Sequence, residues 1–224
     1  LTKPVLEIPA IADLPAAGPV VRPTNVARSL FHVTSGVVAL AALRFLPSRT
    51  WLVAASGTFA GAGWFMEAMR RRSVAFNGVV MRVFAPVAHP HERHRVNSST
   101  WYCTALFAIA IAAPVRAAEI GVIVLALADP AAGIVGRRFG RTRIVAGRSL
   151  EGSLAFLIVG ALAAFAWLSA VHGLARPAAI VVAAAAAVAG TLAEVVSTRL
   201  DDNLTIPIAS AAAAAAAEMV LPLL

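Results

Sequence analysis

The stretch AEIGVIVLALADPAAGIVGRRFGRTRIVAGRSLEGSLAFLIVGALAAFAWLSAV, residues 118–171, decides the fold. It holds two apolar runs, 118–135 and 154–171, each close to the roughly 20 helical residues that cross a hydrocarbon core of about 30 Å. At their junction lies the polar block DPAAGIVGRRFGRTRIVAGRSLEGS, residues 129–153. The block carries two acids (Asp129, Glu151), five arginines (Arg137, Arg138, Arg141, Arg143, Arg148) and five glycines. Acids can hold a metal, arginines can grip phosphate, and glycines let backbone approach a ligand. Set at the mouth of a membrane bundle, that combination points to phosphate chemistry on a lipid.

Working outward, further apolar runs fall at about 30–46, 51–66, 100–113, 178–196 and 204–224, giving about seven spans. The second and third are short. Composition agrees: 60% of the 224 residues are hydrophobic and 13% charged, against roughly 25% charged in soluble domains. The expected fold is therefore all-α, a polytopic transmembrane helical bundle. A Pro-rich N-terminal segment (1–27) precedes an integral membrane catalytic domain (28–224). The segment lacks a basic start followed by an apolar run, so it does not read as a cleaved signal peptide. One cysteine, Cys103, excludes an internal disulfide. The runs Ala183–Ala187 and Ala211–Ala217 read as packing surfaces, and such small-residue faces also allow a homo-oligomer.

Charge then orients the bundle. With seven spans, one side collects Lys3, Arg22, Arg28, Arg70, Arg71, Arg72, Arg82, Arg93, Arg95, Arg199 and the five arginines of the polar block. The other side keeps Arg44, Arg49, Arg116 and Arg176. Fifteen against four places the N-terminus in the cytoplasm. Glu67, Glu92, Asp129, Glu151, Glu194, Asp201 and Asp202 fall on the same basic side, which the topology rule does not require. Acids and arginines gathered on one membrane face make a candidate site.

Asp129-Pro130 predicts a break in the fourth span, with a second helix starting at Pro130. An acid at such a break is a functional candidate. Gly133, Gly136 and Gly140 with Arg137 and Arg138 would form a phosphate cradle. Ser149 is a fair cap for the next helix, whose start, with Gly152 and Ser153, would attract an anion. Glu194, Thr198 and Asp201 sit at i, i+4 and i+7, which puts them on one helical face. Asp202 and Asn203 extend that acidic patch into a helix start, and Pro207 falls within about its first turn. Adjacent carboxylates there suit Mg²⁺, which takes a few carboxylates plus substrate phosphates. Glu67 and Arg70 can meet at i, i+3. His32 reads as a packing histidine. His89, His91 and His94 lack a convincing fourth ligand for zinc. No Walker loop or dinucleotide fingerprint is present, and no nucleic acid partner is expected.

Together these residues resemble the CTP-dependent lipid kinase family that includes dolichol kinase, phytol kinase and yeast-type diacylglycerol kinase. The resemblance spans Arg28 to about Ser210. It is carried by Arg28 with His32 and Gly36, by Glu67 with Arg70, by ALADPAAGIVGRRFG from Ala126, by RSLEGS from Arg148, and by AEVVSTRLDDNLTIP from Ala193. The glycine-rich block is also similar to that of phosphatidate cytidylyltransferases. The family commonly has Lys where this chain has Arg148, and Arg-Lys where it has Arg28-Ser29; arginine grips phosphate but is not a compact point charge.

The resemblance implies phosphoryl transfer from CTP to a lipid alcohol of the polyprenol, phytol or diacylglycerol type, with Mg²⁺ or a similar divalent cation. Asp129, Asp201 and Asp202 would be metal or base residues. Arg137, Arg138 and Arg148 would hold the triphosphate, with Glu151 positioning one of them. Arg28, His32, Glu67, Arg70, Glu194 and Asn203 are secondary candidates. The rival expectations are a phosphatidate cytidylyltransferase and, in another class, a membrane transporter or scaffold.

Overall fold

The computed structural model describes residues 26–85, 95–197 and 200–221. Among them it forms eight α-helices: α1 (Val26–Phe45), α2 (Arg49–Arg72), α3 (Val74–Val83), α4 (Ser98–Ala112), α5 (Val115–Phe139), α6 (Leu150–Ala170), α7 (Arg176–Val196) and α8 (Asp202–Val220). Five of these, α1, α5, α6, α7 and α8, are long and apolar enough to cross a membrane. Helix α2 has the length, at 24 residues, but its polar positions and three terminal arginines dilute its apolar character. Helix α4 has only 15 residues. The histidines considered for zinc, His89, His91 and His94, lie outside the described residues.

Helix α5 is the axis of the bundle. Its apolar window is 67% buried, more than that of any other long helix. Around it pack α1, α6 and α8, and α7 closes the ring between α6 and α8. Ile120, Val124, Leu125 and Ala128 of α5 meet Phe156 and Leu168 of α6, Val182 and Ala186 of α7, and Ile206 of α8 in one core. The alanine runs behave as packing surfaces: Ala183, Ala186, Ala187, Ala211 and Ala214 are all buried. Small residues bring backbones close elsewhere too. A side chain on Gly121 would strike the Pro207 carbonyl of α8, and one on Gly36 would strike Ala126.

Three local expectations are overturned. Helix α5 is not interrupted at Asp129-Pro130; it runs unbroken from Val115 to Phe139 with Pro130 inside. Proline there leaves the Ala126 carbonyl without its helical donor, but packing on nearly all sides of α5 outweighs that one bond. Second, Glu194 and Asp201 do not share a helical face. Helix α7 ends at Val196, Thr198 lies outside the described residues, and Asp201 is the N-cap of α8. Third, Pro207 lies beyond the first turn of α8, inside the helix.

Polar contacts fix both ends of the bundle. At one end Arg116 of α5 grips both oxygens of Glu218 on α8, at 2.6 and 3.0 Å. Beside it, fully buried Glu119 accepts from Trp167 Nε1 at 2.7 Å, contacts His172 Nε2 at 2.6 Å, and lies 3.7 Å from Arg44. Arg49 reaches the last carbonyls of α4, including Ala110 O at 3.0 Å. The opposite end holds the starts of α1, α4, α6 and α8 and the ends of α2, α5 and α7, where the candidate residues gather.

Candidate active site

Six helices bring the site together: α1, α4, α5, the start of α6, the end of α7 and the start of α8. The chain leaves α5 at Gly140 and folds back through a 3-10 turn, Val145–Gly147. Ile144 N donates to Arg148 O and Leu150 N donates to Thr142 O, both at 2.9 Å. Gly147 has φ of 76°, a conformation that disfavours side chains. That reversal delivers Arg148 inward at the start of α6. As expected, Ser149 caps α6, accepting from Gly152 N at 3.1 Å.

Arg148 is the hub. Its guanidinium pairs with Glu194 at the end of α7 and, at 3.2 Å, with Asp202 at the start of α8. Ser153 donates to the other Glu194 oxygen at 3.2 Å. Burial, the largest influence on Arg148, opposes its charge, but Glu194 and Asp202 outweigh it and hold the group above its ordinary value. Two acids from different helices are thus joined through one fork, an arrangement a guanidinium suits better than an ammonium.

Asp129 projects from α5 into the same neighbourhood. His32 Nε2 of α1 lies 3.9 Å from its Oδ2, and the charges of Asp202, Arg28, Arg148 and Glu194 all act on it. The Asp201 carboxylate is held by three hydrogen bonds from two residues. Ser98 Oγ of α4 donates to one oxygen at 2.9 Å; Asn203 donates to the other from its backbone at 3.0 Å and its amide at 2.7 Å. Burial and then the Asp202 carboxylate push Asp201 above the usual aspartate range, against the hydrogen bonds from Asn203 and Ser98. Asn203 also bridges to Asp202 at 3.2 Å.

Beside these acids lies a small, partly open cleft with about 30 Å³ of enclosed space, well below the range of about 300–1,000 Å³ usual for ligand sites. Arg28, Phe31 and His32 of α1 form one wall, Phe84 follows α3, Asn97, Ser98 and Tyr102 belong to α4, and Asn203 closes it from α8. Sequence reasoning missed Phe31, Phe84, Ser98 and Tyr102. Asn97 had a legible signal: it opens NSST, and its side chain caps α4 by accepting from Ser99 N at 2.9 Å.

Other candidates have different settings. Glu67 and Arg70 do meet, as a buried pair 2.7 Å apart. Asn97 N donates to Glu67 at 3.1 Å and Arg70 Nε donates to Asn77 at 2.9 Å, so the pair ties α2 to α3 and α4. Gly136 and Gly152 sit where α5 and α6 cross: a Cβ on Gly152 would come within 3.2 Å of Gly136 Cα and 3.0 Å of Ala132 O. Gly140 is pressed against Ser149, and the Arg137 guanidinium folds back over Gly133. These glycines therefore have packing partners of their own. Arg137 and Arg138 are exposed on the last turn of α5, and Arg138 stacks 5.5 Å from the Phe139 ring. Glu151 faces the backbone of the reversal and braces it, accepting from Thr142 N at 3.1 Å with the Arg141 backbone also in reach.

No group of three or more acidic, histidine or cysteine side chains closes on a common metal position among the described residues. Both oxygens of Asp201 are engaged, and Asp202 meets Arg148 with one oxygen and Asn203 with the other, while Asp129 and Asp202 lie within electrostatic reach of each other. Such a pair fits Mg²⁺ that arrives with phosphate oxygens, because this ion commonly uses one or two carboxylates plus its substrate. Searched against protein-family models, curated proteins and solved structures, the chain matches none.

Proposed function

We propose that this chain is a membrane-embedded, CTP-dependent lipid kinase that phosphorylates a lipid alcohol at a cytoplasmic site. The observation that carries the proposal is the meeting of Asp129, Glu194 and Asp202 around Arg148, beside a cleft with Arg28 and His32 in its wall. CTP as donor rests on the resemblance of the quoted motifs. A seven-span arrangement, with α2 and α4 completing the five long apolar helices, puts the basic end in the cytoplasm.

In this reading the lipid hydroxyl oxygen attacks the γ-phosphorus and the bond to the β–γ bridging oxygen breaks, releasing CDP. Asp129 accepts the hydroxyl proton. Arg148 exchanges part of its carboxylate pairing for phosphate oxygens, and Arg28, Arg137 and Arg138 add positive charge around the triphosphate. Asp129 and Asp202 would hold Mg²⁺, which would neutralise phosphate charge when bound. Asp201, Asn203 and Ser98 hold the start of α8 in register. Positioning and electrostatics of this kind are most of what phosphoryl transfer requires.

The test is transfer of label from γ-labelled CTP to a panel of lipid alcohols by purified protein with Mg²⁺, with ATP and UTP as competitors. A labelled alcohol together with CDP is the expected result. A CDP-lipid formed from phosphatidate, with pyrophosphate, would replace this reading by a cytidylyltransferase. With neither product, the transporter or scaffold reading takes its place. Asp129→Asn should abolish transfer while the protein still inserts and folds; retained turnover would remove Asp129 from the site.

A further inference from the structure

Helix α3 has two apolar faces, and among the described residues only one of them meets protein. Toward α2 it turns Asn77 and Met81, which receive the Arg70 guanidinium at 2.9 and 3.7 Å, together with buried Val80. The opposite face carries Ala75, Val79 and Val83, with Val74 and Phe76 at its edges, and all five are exposed. Val74 is 91% exposed and Val83 70%, and nothing lies within 4 Å of a carbon added at Gly78. Ten residues, about 15 Å of helix, are too few to cross a bilayer. An apolar helix of that length belongs in a protein core or at a membrane interface, and its bare face is not in a core.

Placement and charge say what covers that face. Ser73 ends α2 and caps α3 at once, accepting from Phe76 N at 3.2 Å, so α3 turns off at the basic end of the bundle. Arg70 is spent on Glu67 and Asn77. Arg71 and Arg72, just ahead of α3, and Arg82 within it are exposed. Arg82 donates back to Gly78 O at 3.3 Å, which lays its aliphatic stem along the bare face. Water is a poor neighbour for five apolar side chains, and hydrocarbon is a poor neighbour for three arginines. A bilayer interface takes both, since apolar side chains sink toward the acyl chains while guanidinium groups meet acidic headgroups.

We infer that α3 is an interfacial helix that docks on an anionic bilayer surface, with Arg71, Arg72 and Arg82 meeting the acidic headgroups. Phe84, the residue that ends α3, stands in the wall of the cleft, so docking also fixes that wall. The inference does not rest on the kinase reading.

The probe is the full chain carrying Cys103→Ser and Val79→Cys, labelled with the environment-sensitive dye NBD, in nanodiscs of mixed phosphatidylcholine and phosphatidylserine. Bromines high on the acyl chains should quench the dye more than bromines near the chain ends. Brominated phosphatidylserine should quench it more efficiently than brominated phosphatidylcholine, and added salt should shrink the difference. Arg71→Gln, Arg72→Gln and Arg82→Gln should each cut that preference by up to about fivefold, the worth of one basic residue at an acidic surface. Thermal unfolding should not move, because all three side chains are exposed. A dye that neither lipid quenches would leave the face to solvent or to protein, and cross-linking at position 79 between copies would identify a second chain. Equal quenching by the two lipids, or stronger quenching by the deep bromines, would put α3 in neutral lipid. Any of these results overturns the inference. γ-Labelled CTP in the same discs separates it from the kinase: docking without phosphoryl transfer keeps α3 at the interface and removes the kinase, and transfer without docking does the reverse.

Discussion

At the residue scale, the molecule depends on a few side chains that each serve several helices. Arg148 is the clearest. Arg148→Ala leaves Glu194 and Asp202 facing each other without their common cation. A broken buried pair costs about 3–5 kcal/mol, and with the Arg148 side chain 25% exposed the lower end applies. Thermal unfolding in detergent should show that loss, and Arg148→Lys should recover only part of it, because an ammonium cannot span both acids. Asp201 gives a pH signature. Its folded value is raised, so above the unfolded value of about 3.9 the native state keeps a proton the unfolded chain has lost. Its contribution to stability is therefore complete below that value and is lost as pH rises through the folded one. Asp201→Asn should flatten that part of a melting-temperature profile recorded with chelator present. Sequence alone offered the types and the neighbourhood of Asp129, Arg148, Glu194 and Asp202, because Asp129 and Glu194 interrupt apolar runs while Arg148 and Asp202 lie in the polar stretches between them. It did not offer Ser98, which is 103 positions from its partner Asp201 and carries no local signal beyond a polar helix start.

Elements were legible where hydrophobic periodicity and capping agreed, and misread where one local rule was trusted alone. The Ser149 cap for α6 was readable from RSLEGS. The break at Pro130 was not real, because a helix embraced by neighbours tolerates a proline that would end an isolated one. The polar residues of α2 similarly shortened the expected span; the helix runs on to Arg72 because Glu67 and Arg70 satisfy each other in its last turns. Helix crossings belong to this scale. Gly121→Val should push α5 from α8 against the Pro207 carbonyl, costing roughly 1–3 kcal/mol. Gly61→Ala is the matched control, as nothing lies within 4 Å of its added carbon. A melting series that ranked these two equally would deny that close α5–α8 approach holds the bundle.

For the whole molecule, the two polar ends are separable. The cluster of Glu119, His172, Trp167 and Arg44 lies at the far end from Asp129, and was missed in the sequence because its members come from α1, α5, α6 and the turn before α7. Glu119→Ala would strand buried donors, so it should lower stability by about 1–3 kcal/mol. On the proposed kinase reading, CTP binding below the melting temperature should be unchanged. If nucleotide affinity fell in parallel, the ends would be coupled through α5. The unbroken α5 also constrains how the protein is made. Glu119 and Asp129 stand ten residues apart on it, about 15 Å of helix, and their partners on α6, α7 and α8 are synthesised later. Until those partners emerge, α5 is a poor guest for lipid and must wait beside the insertion machinery. A ribosome-stalled series should therefore show α5 released into the bilayer only after α8 has followed it, even though α5 leaves the tunnel three helices earlier.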